Sequence, residues 1–386
     1  MNRTFNPFRG LGHAGIFCVF LAFAASARAE AGVTADRILI GQSISLQGGK
    51  NDYGAAVLDG ATALLAASNA QGGVQGRQVV LKTVDDNASS EQAESNARSL
   101  VQQDHVFALF GTIEGGPSVA VMKAALDLKV PFFGPMAGSP ALRRPFQRLV
   151  FPVRAEHLEE FRALLEFAHR TGATRVAFVR ADSDNGRQHL ENMRILCREL
   201  GMELALDLPF AADVSDAQMT DMAERIGRGD IHVVLNHGSV GVYERLIRLA
   251  RAMGLHTSFS AVNSGSTQLA QHLGDLAHGM VFSQVVPSPW ERKSSITREY
   301  QDVFRKYMPG KEFTYGSLEG YLTAKALVAA LRLAGPTPTR EGFVKALHAA
   351  GGLDFNGLHM DYHEGNHTGL TLVDLSIVTK EGRFRH

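Results

Sequence analysis

Residues 38–87, ILIGQSISLQGGKNDYGAAVLDGATALLAASNAQGGVQGRQVVLKTVDDN, decide the fold. A strand, a glycine-rich loop, a helix and a second strand follow in strict order, which is one βαβ unit. Ile38, Leu39, Ile40 and Gly41 form a short apolar run, and Val79, Val80, Leu81 and Val84 form another. Such runs suit parallel strands buried under helices on both faces. Between them Asp59, Gly60, Ala61, Leu64, Leu65 and Ser68 alternate polar and apolar at helical spacing. Asn69-Ala70-Gln71-Gly72-Gly73-Val74-Gln75-Gly76-Arg77 then closes the helix with an asparagine and paired glycines able to take left-handed geometry, and turns the chain back into the sheet.

The same alternation runs outward from this unit almost to the end of the chain. Helices are predicted at 91–103, 117–128, 156–171, 187–200, 217–228 and 242–253, and strands at 106–110, 130–133, 149–153, 175–180, 202–209, 231–236 and 256–262. Repeated strand-helix-strand units call for parallel sheets with right-handed crossovers, whose ligands collect at the carboxyl ends of the strands. After residue 280 the pattern changes. Met280 to Pro287 is extended, helices follow at 295–307 and 317–334, and 370–378 reads as a final strand.

The first 29 residues form a targeting segment, with Arg3 and Arg9 as a positive start, an apolar run from Ile16 to Ala24, and Ala27-Arg28-Ala29 before a cleavage point at Glu30. Cys18 lies in Ile-Phe-Cys-Val-Phe, which is not a lipoprotein context, so a cleavable leader and a soluble periplasmic product are expected. Cleavage removes three arginines and no acid, leaving 36 basic against 39 acidic side chains, a net of −3 that excludes nucleic-acid binding by bulk charge. Only Cys197 remains after cleavage, so no internal disulfide can form and stability must come from hydrophobic cores. Roughly 350 residues suffice for two domains.

The turn at 69–77 and the acidic pair Asp85-Asp86 resemble the leucine/isoleucine/valine-binding protein family, the type I periplasmic solute-binding proteins of ABC importers, in which N-A-x-G-G-[IV]-x-G-[RK] and a following D-D recur. The resemblance covers nearly the whole chain after the leader. It implies an α/β fold of two Rossmann-like lobes with parallel-core sheets joined by a three-strand hinge. The passages would fall near Phe151 to Arg154, Ser283 to Pro287 and Met360 to His367. Lobe one would take 30–153 with 287–360, and lobe two 154–286 with 361–386. Multiple passages form a hinge that permits closure.

The resemblance also implies where a ligand sits. The loops Glu114-Gly115-Gly116 and Ala137-Gly138-Ser139 run from strands toward predicted helix starts and would offer backbone N–H groups to a carboxylate, although the same glycines serve ordinary tight turns. Tyr53 falls where the family places an aromatic ring over the ligand, or else packs at a helix start. In lobe two, Asn185 and His237 stand where the amino-acid binders carry aromatic residues, and Asn263 stands near their ammonium-binding glutamate. A neutral amide cannot supply that charge, and an unpaired buried ammonium is costly; Asp184 or Glu114 would have to substitute. Tyr315 completes the candidate set.

Enzyme chemistry lacks its mechanical parts: no G-x-G-x-x-G follows the first strand, and there is neither a phosphate loop nor a G-x-S-x-G elbow. His359, His363 and His367, spaced by four, read as exposed loop histidines because Gly365-Asn366 and Gly369 mark a turn, and no metal is expected. The expectation is a monomeric receptor without cofactor that closes on a small carboxylate-bearing solute, an amino acid or related organic acid, and presents it to an inner-membrane permease. The alternative is a periplasmic co-receptor reporting a ligand to a membrane signalling protein.

Overall fold

The computed structural model describes residues 1–2, 30–211 and 213–386; the leader assigned to 1–29 lies almost entirely outside them. The first lobe opens with β1 (Arg37–Ile44), α1 (Asn51–Ala70), β2 (Gln78–Asp85), α2 (Ser90–Gln102), β3 (Ala108–Phe110), α3 (Gly115–Asp127), β4 (Phe132–Phe133) and β5 (Val150–Phe151). The second follows with α4 (His157–Arg170), β6 (Arg175–Ala181), α5 (Asp184–Glu199), β7 (Glu203–Phe210), α6 (Asp216–Arg228), β8 (Val233–His237), α7 (Val240–Ala252), β9 (Ser258–Ala261), α8 (Ser266–Leu273) and β10 (Val281–Gln284). The remainder comprises α9 (Ser295–Tyr307), α10 (Tyr315–Leu333), α11 (Arg340–Ala350), β11 (Gly352–Asp354), β12 (His359–His363), β13 (Asn366–Gly369), β14 (Asp374–Val378) and β15 (Phe384–Arg385).

β1 pairs in parallel with β2, Ile38 opposite Val79 and Ile40 opposite Leu81, and with β3 on its other side. The five-stranded sheet runs β2-β1-β3-β4-β5 and the seven-stranded sheet β15-β14-β10-β9-β8-β6-β7, with β14 antiparallel to β10. In the turn after α1, the Asn69 side chain accepts from Val79 N at 2.9 Å and donates to Val79 O at 3.0 Å, which is why an amide suits that position. Gly73 takes φ +67°, and a Cβ there would lie 2.0 Å from Arg77 O.

α1 and α10 cross so closely that their backbones touch. A Cβ on Gly60 would lie 1.8 Å from Ser317 O, and one on Gly320 would lie 2.1 Å from Val57 O. Around this crossing sits the first core, including Ile40, Val57, Phe107, Phe133, Phe151, Leu318 and Leu322. Val179, Val234, Tyr243, Leu246, Phe259 and Phe282 belong to a core of the second lobe.

The C-terminal quarter departs from expectation in two ways. Residues 352–369 form a separate antiparallel sheet, β11-β12-β13. It packs on lobe one: Tyr362 is buried in the first core and its hydroxyl donates to Pro152 O at 2.9 Å, while Leu370 N donates to Val153 O at 2.8 Å. We therefore place the third passage between Gly369 and Asp374, later than Met360 to His367. His367 is also no exposed loop residue. It is buried, stacks on Phe151 at 4.3 Å, donates from Nδ1 to Val150 O at 2.6 Å, and hydrogen-bonds through Nε2 with His348 Nε2 at 2.8 Å. His359 and His363 do remain exposed.

Candidate functional site

The carboxyl ends of the two sheets meet at a seam built around four buried polar side chains. Arg154 lies in the first passage, Glu160 one turn into α4, Glu319 on α10, and Asn263 just beyond β9. All four are at most 2% exposed. Arg154 pairs with Glu160, donates to Ser264 Oγ at 2.9 Å, and its Nε stands 3.8 Å from Glu319 Oε1. Glu160 Oε1 also accepts from Asn263 N and Ser283 Oγ, each at 2.9 Å. Glu319 Oε2 accepts from the Tyr53 hydroxyl and from Asn263 Nδ2, each at 2.7 Å. α1 and α10 of lobe one and the β9–α8 junction of lobe two thus converge on one carboxylate.

Burial pushes the Glu319 carboxyl above its usual range, against the pull of Arg154, and pushes the Tyr53 phenol up in turn, reinforced by Glu319. Burial disfavours the Arg154 charge, but Glu160 and Glu319 more than offset it and hold the guanidinium above its normal value. Such a network is favourable only while every member has its partner. Glu319 Oε1, Asn263 Oδ1 and Gln268 Oε1 have no hydrogen-bond partner among the described residues. Beside them is a cavity of about 90 Å³ between the lobes, lined by Tyr53, Ala56 and Gly316 on one side and Asn263, Ser266 and Gln268 on the other. Unpartnered acceptors around a small cavity suit a ligand that brings hydrogen-bond donors. A larger depression, about 540 Å³, lies at the opposite, amino end of the lobe-two strands around Thr171, Asp230 and His256, away from these charges.

The residues expected from sequence are only partly brought together here. Tyr53 and Asn263 line the cavity. Gly115, Ser139 and Asn185 meet across the seam: the Ser139 hydroxyl donates to Asn185 Oδ1 at 2.5 Å, and a Cβ on Gly115 would lie 2.5 Å from Asn185 Nδ2. Glu114 accepts from Lys50 N at 2.9 Å through its carboxylate, which sets a negative charge where an anion was expected. Gly116 faces Ser90. The second loop needs correction, because it leads into a three-residue 3-10 turn, Pro140–Leu142, and presents no α-helix N-terminus. Ala137 is part of the core, and Gly138 accepts from His157 N at 3.0 Å with the His157 ring where a side chain would go.

Asp184 and Tyr315 are further corrections. Asp184 is 93% exposed at the start of α5 and pairs with Arg187 at 2.6 Å, so it cannot meet a buried ammonium. Tyr315 packs against Trp290 and Phe384, and its hydroxyl bonds His386 Nε2 at 2.6 Å, a structural role at the C-terminus. His237 stands at the carboxyl end of β8, beside His157 and His189.

Arg154, Glu160 and Glu319 were not anticipated. Glu319 had a readable signal: it is the only acid in α10, an otherwise apolar helix with glycines at 316 and 320. Arg154 lay in the expected passage but was not considered as a charge, and nothing local to Glu160 distinguishes it from Glu159, which α4 turns outward.

A model of the periplasmic binding protein family matches residues 37–377, so the chain belongs to that family. It is a family of periplasmic solute receptors, not enzymes. The Leu/Ile/Val-binding protein homolog 7 of Brucella suis biovar 1 (strain 1330) is 22% identical over 278 residues, covering 68% of this chain and 69% of that protein. Among solved structures, a possible leucine/isoleucine/valine-binding protein from Rhodopirellula baltica SH 1 is 23% identical with a TM-score of 0.84, covering 91% of this chain and 97% of that one. A branched-chain amino acid ABC transporter protein from Thermus thermophilus, solved with bound valine, is 20% identical with a TM-score of 0.77, covering 92% and 96%.

Proposed function

We propose that this receptor serves an ABC-type importer, closing on a small carboxylate-bearing solute, an amino acid or a related organic acid, and delivering it to an inner-membrane permease. The similarity to the Thermus thermophilus branched-chain amino acid ABC transporter protein supports the transport setting. One observation carries the solute class. Arg154 and Glu319 face each other across the seam at 3.8 Å, with an unpartnered carboxylate oxygen on one side and a buried guanidinium on the other. A zwitterion entering the adjoining cavity as the lobes part exchanges this ion pair for its own charges, its carboxylate on Arg154 and its ammonium on Glu319, Asn263 Oδ1 and Gln268 Oε1. So read, the carboxylate role falls to Arg154 in place of the Glu114–Gly116 and Ala137–Ser139 loops, and the ammonium role falls to Glu319 in place of Asp184 or Glu114. In this reading the leader ends before Glu30 and the mature chain works as a monomer.

Calorimetry over α-amino acids, keto acids, dicarboxylates, amides and sugars tests the reading. At least one carboxylate should bind; Arg154→Met should abolish its binding, and Glu319→Gln should weaken ammonium-bearing ligands selectively. Tight binding of a sugar or a neutral amide, with no acid bound, would refute it.

A further inference from the structure

Three histidines from three elements of lobe two converge on a point that the solute reading does not use. His157 comes from the first turn of α4, His189 from the second turn of α5, and His237 from the last residue of β8. One ring nitrogen of each lies within 4.8 Å of those of the other two. His157 and His189 are buried and His237 is partly so. Ring centroids are 5.2 Å apart for His157 and His189, 5.0 Å for His157 and His237, and 3.9 Å for His189 and His237.

Packing alone does not explain this choice of residue. His189 is wholly buried, yet among the described residues both of its ring nitrogens lack a hydrogen-bond partner, as does Nδ1 of His237. A phenylalanine would fill the same space, as Phe161 does in T-shaped contact with His189 at 5.5 Å, without leaving buried polar atoms unsatisfied. His157 differs in an informative way: its Nδ1 contacts Glu160 Oε2 at 2.5 Å, the carboxylate-to-imidazole arrangement that fixes a ligating ring and leaves Nε2 for the metal.

We propose that His157, His189 and His237 form a binding site for a divalent transition-metal ion of the zinc type. Three imidazoles suit an ion of borderline softness, and the edges of a tetrahedral zinc site are about 3.3 Å, within reach of small ring rotations from the present spacing. Burial, the dominant cause for each, holds all three rings below the usual histidine range, so they are neutral at pH 7 and in the ligating form. Lys50 and Arg154 act on His157 and His237, and Arg143 acts on His157 as well, so all three oppose a cation, while Glu160, beside His157 and acting on His189, supplies the counter-charge. All three ligands come from lobe two, and metal uptake is measured without any solute present.

The test uses the protein purified without a histidine tag and stripped with chelator. Titrated with Co2+ alone, it should take up one equivalent and show the intense visible bands of a four-coordinate ion, and Zn2+ should displace the cobalt. His189→Phe, which keeps the ring volume, should lose the bands and weaken uptake at least tenfold while retaining native circular dichroism. If that variant does not fold, His237→Gln on the partly exposed ring must show the same loss. Replacing the exposed His359 and His363 with alanine should change nothing. Absence of stoichiometric uptake overturns the proposal, and so do bands that survive His189→Phe or vanish with the His359/His363 variant.

Discussion

Replacing Arg154 with alanine probes the seam most directly. The guanidinium is 1% exposed and is the positive partner of two carboxylates that are 0% and 2% exposed. Its loss leaves Glu160 with Asn263 N, Ser283 Oγ and His157, and leaves Glu319 with Tyr53 and Asn263 Nδ2, but with no neutralising charge at Arg154. Removing one member of a buried ion pair costs about 3–5 kcal/mol, and the surviving hydrogen bonds place this case near the lower end. Urea unfolding at pH 7.5 should therefore show Arg154→Ala about 3 kcal/mol less stable. Glu319 adds a pH signature. Its folded-state pKa is already raised, so the native state binds the proton more tightly than the unfolded chain, and the penalty of its charge diminishes as pH falls toward that raised value. Without Arg154 this effect grows, and the deficit should shrink as pH is lowered from 7.5 to 5. Glu319→Gln in the Arg154→Ala background should restore part of the loss, a coupling of about 1 kcal/mol in a double-mutant cycle. A deficit under about 1 kcal/mol, with strictly additive substitutions, would refute the idea that these charges depend on one another.

Other consequences are equally open to measurement. Gly320→Ala forces a methyl against Val57 O where α1 and α10 touch, and should cost about 3 kcal/mol by overpacking, read as a lower unfolding midpoint, whereas Gly241→Ala, whose new methyl would meet nothing nearer than Ser239 Oγ at 3.9 Å, should cost far less. Burial pushes the His367 imidazole down to about 4, so between pH 7 and pH 5 the unfolded chain gains a proton that the native state refuses; stability should fall by about 2 kcal/mol from this group, and His367→Phe should flatten that slope. Ser139→Ala removes the hydroxyl that bonds Asn185 across the lobes, which should disfavour the closed form by about 1 kcal/mol and raise the radius of gyration in solution scattering without changing the far-ultraviolet spectrum.

The parts of the fold legible from sequence were those with local signals. β1, α1 and β2 could be read because apolar runs, helical spacing and an Asn-Gly-Gly turn all lie within fifty residues and agree with one another. α8, α11 and the β11-β12-β13 sheet were not read: each is short, and the hairpin is held by Tyr362 reaching Pro152, a contact spanning 210 residues that leaves no periodic trace. The site divided the same way. Position 263 reads from sequence as a place where charge matters, but the carboxylate beside it arrives from Glu319, 56 residues further on and on the opposite lobe. Asp184 looked plausible in one dimension, but the first turn of α5 sends it to solvent.

The contact between α1 and α10 also bears on the order in which the chain can fold. Tyr53 and Glu319, bonded across that crossing, are 266 residues apart, and Gly60 has no partner until Ser317 has been made. The strands β6 to β10, by contrast, lie in one unbroken stretch, needing only β14 and β15 to finish the sheet. Lobe two can assemble from consecutive units while lobe one waits, its apolar α1 face uncovered, for the last quarter of the sequence. During synthesis that delay keeps the N-terminal third of the polypeptide loose, which is the state a chain must be in to be threaded across a membrane before it sets.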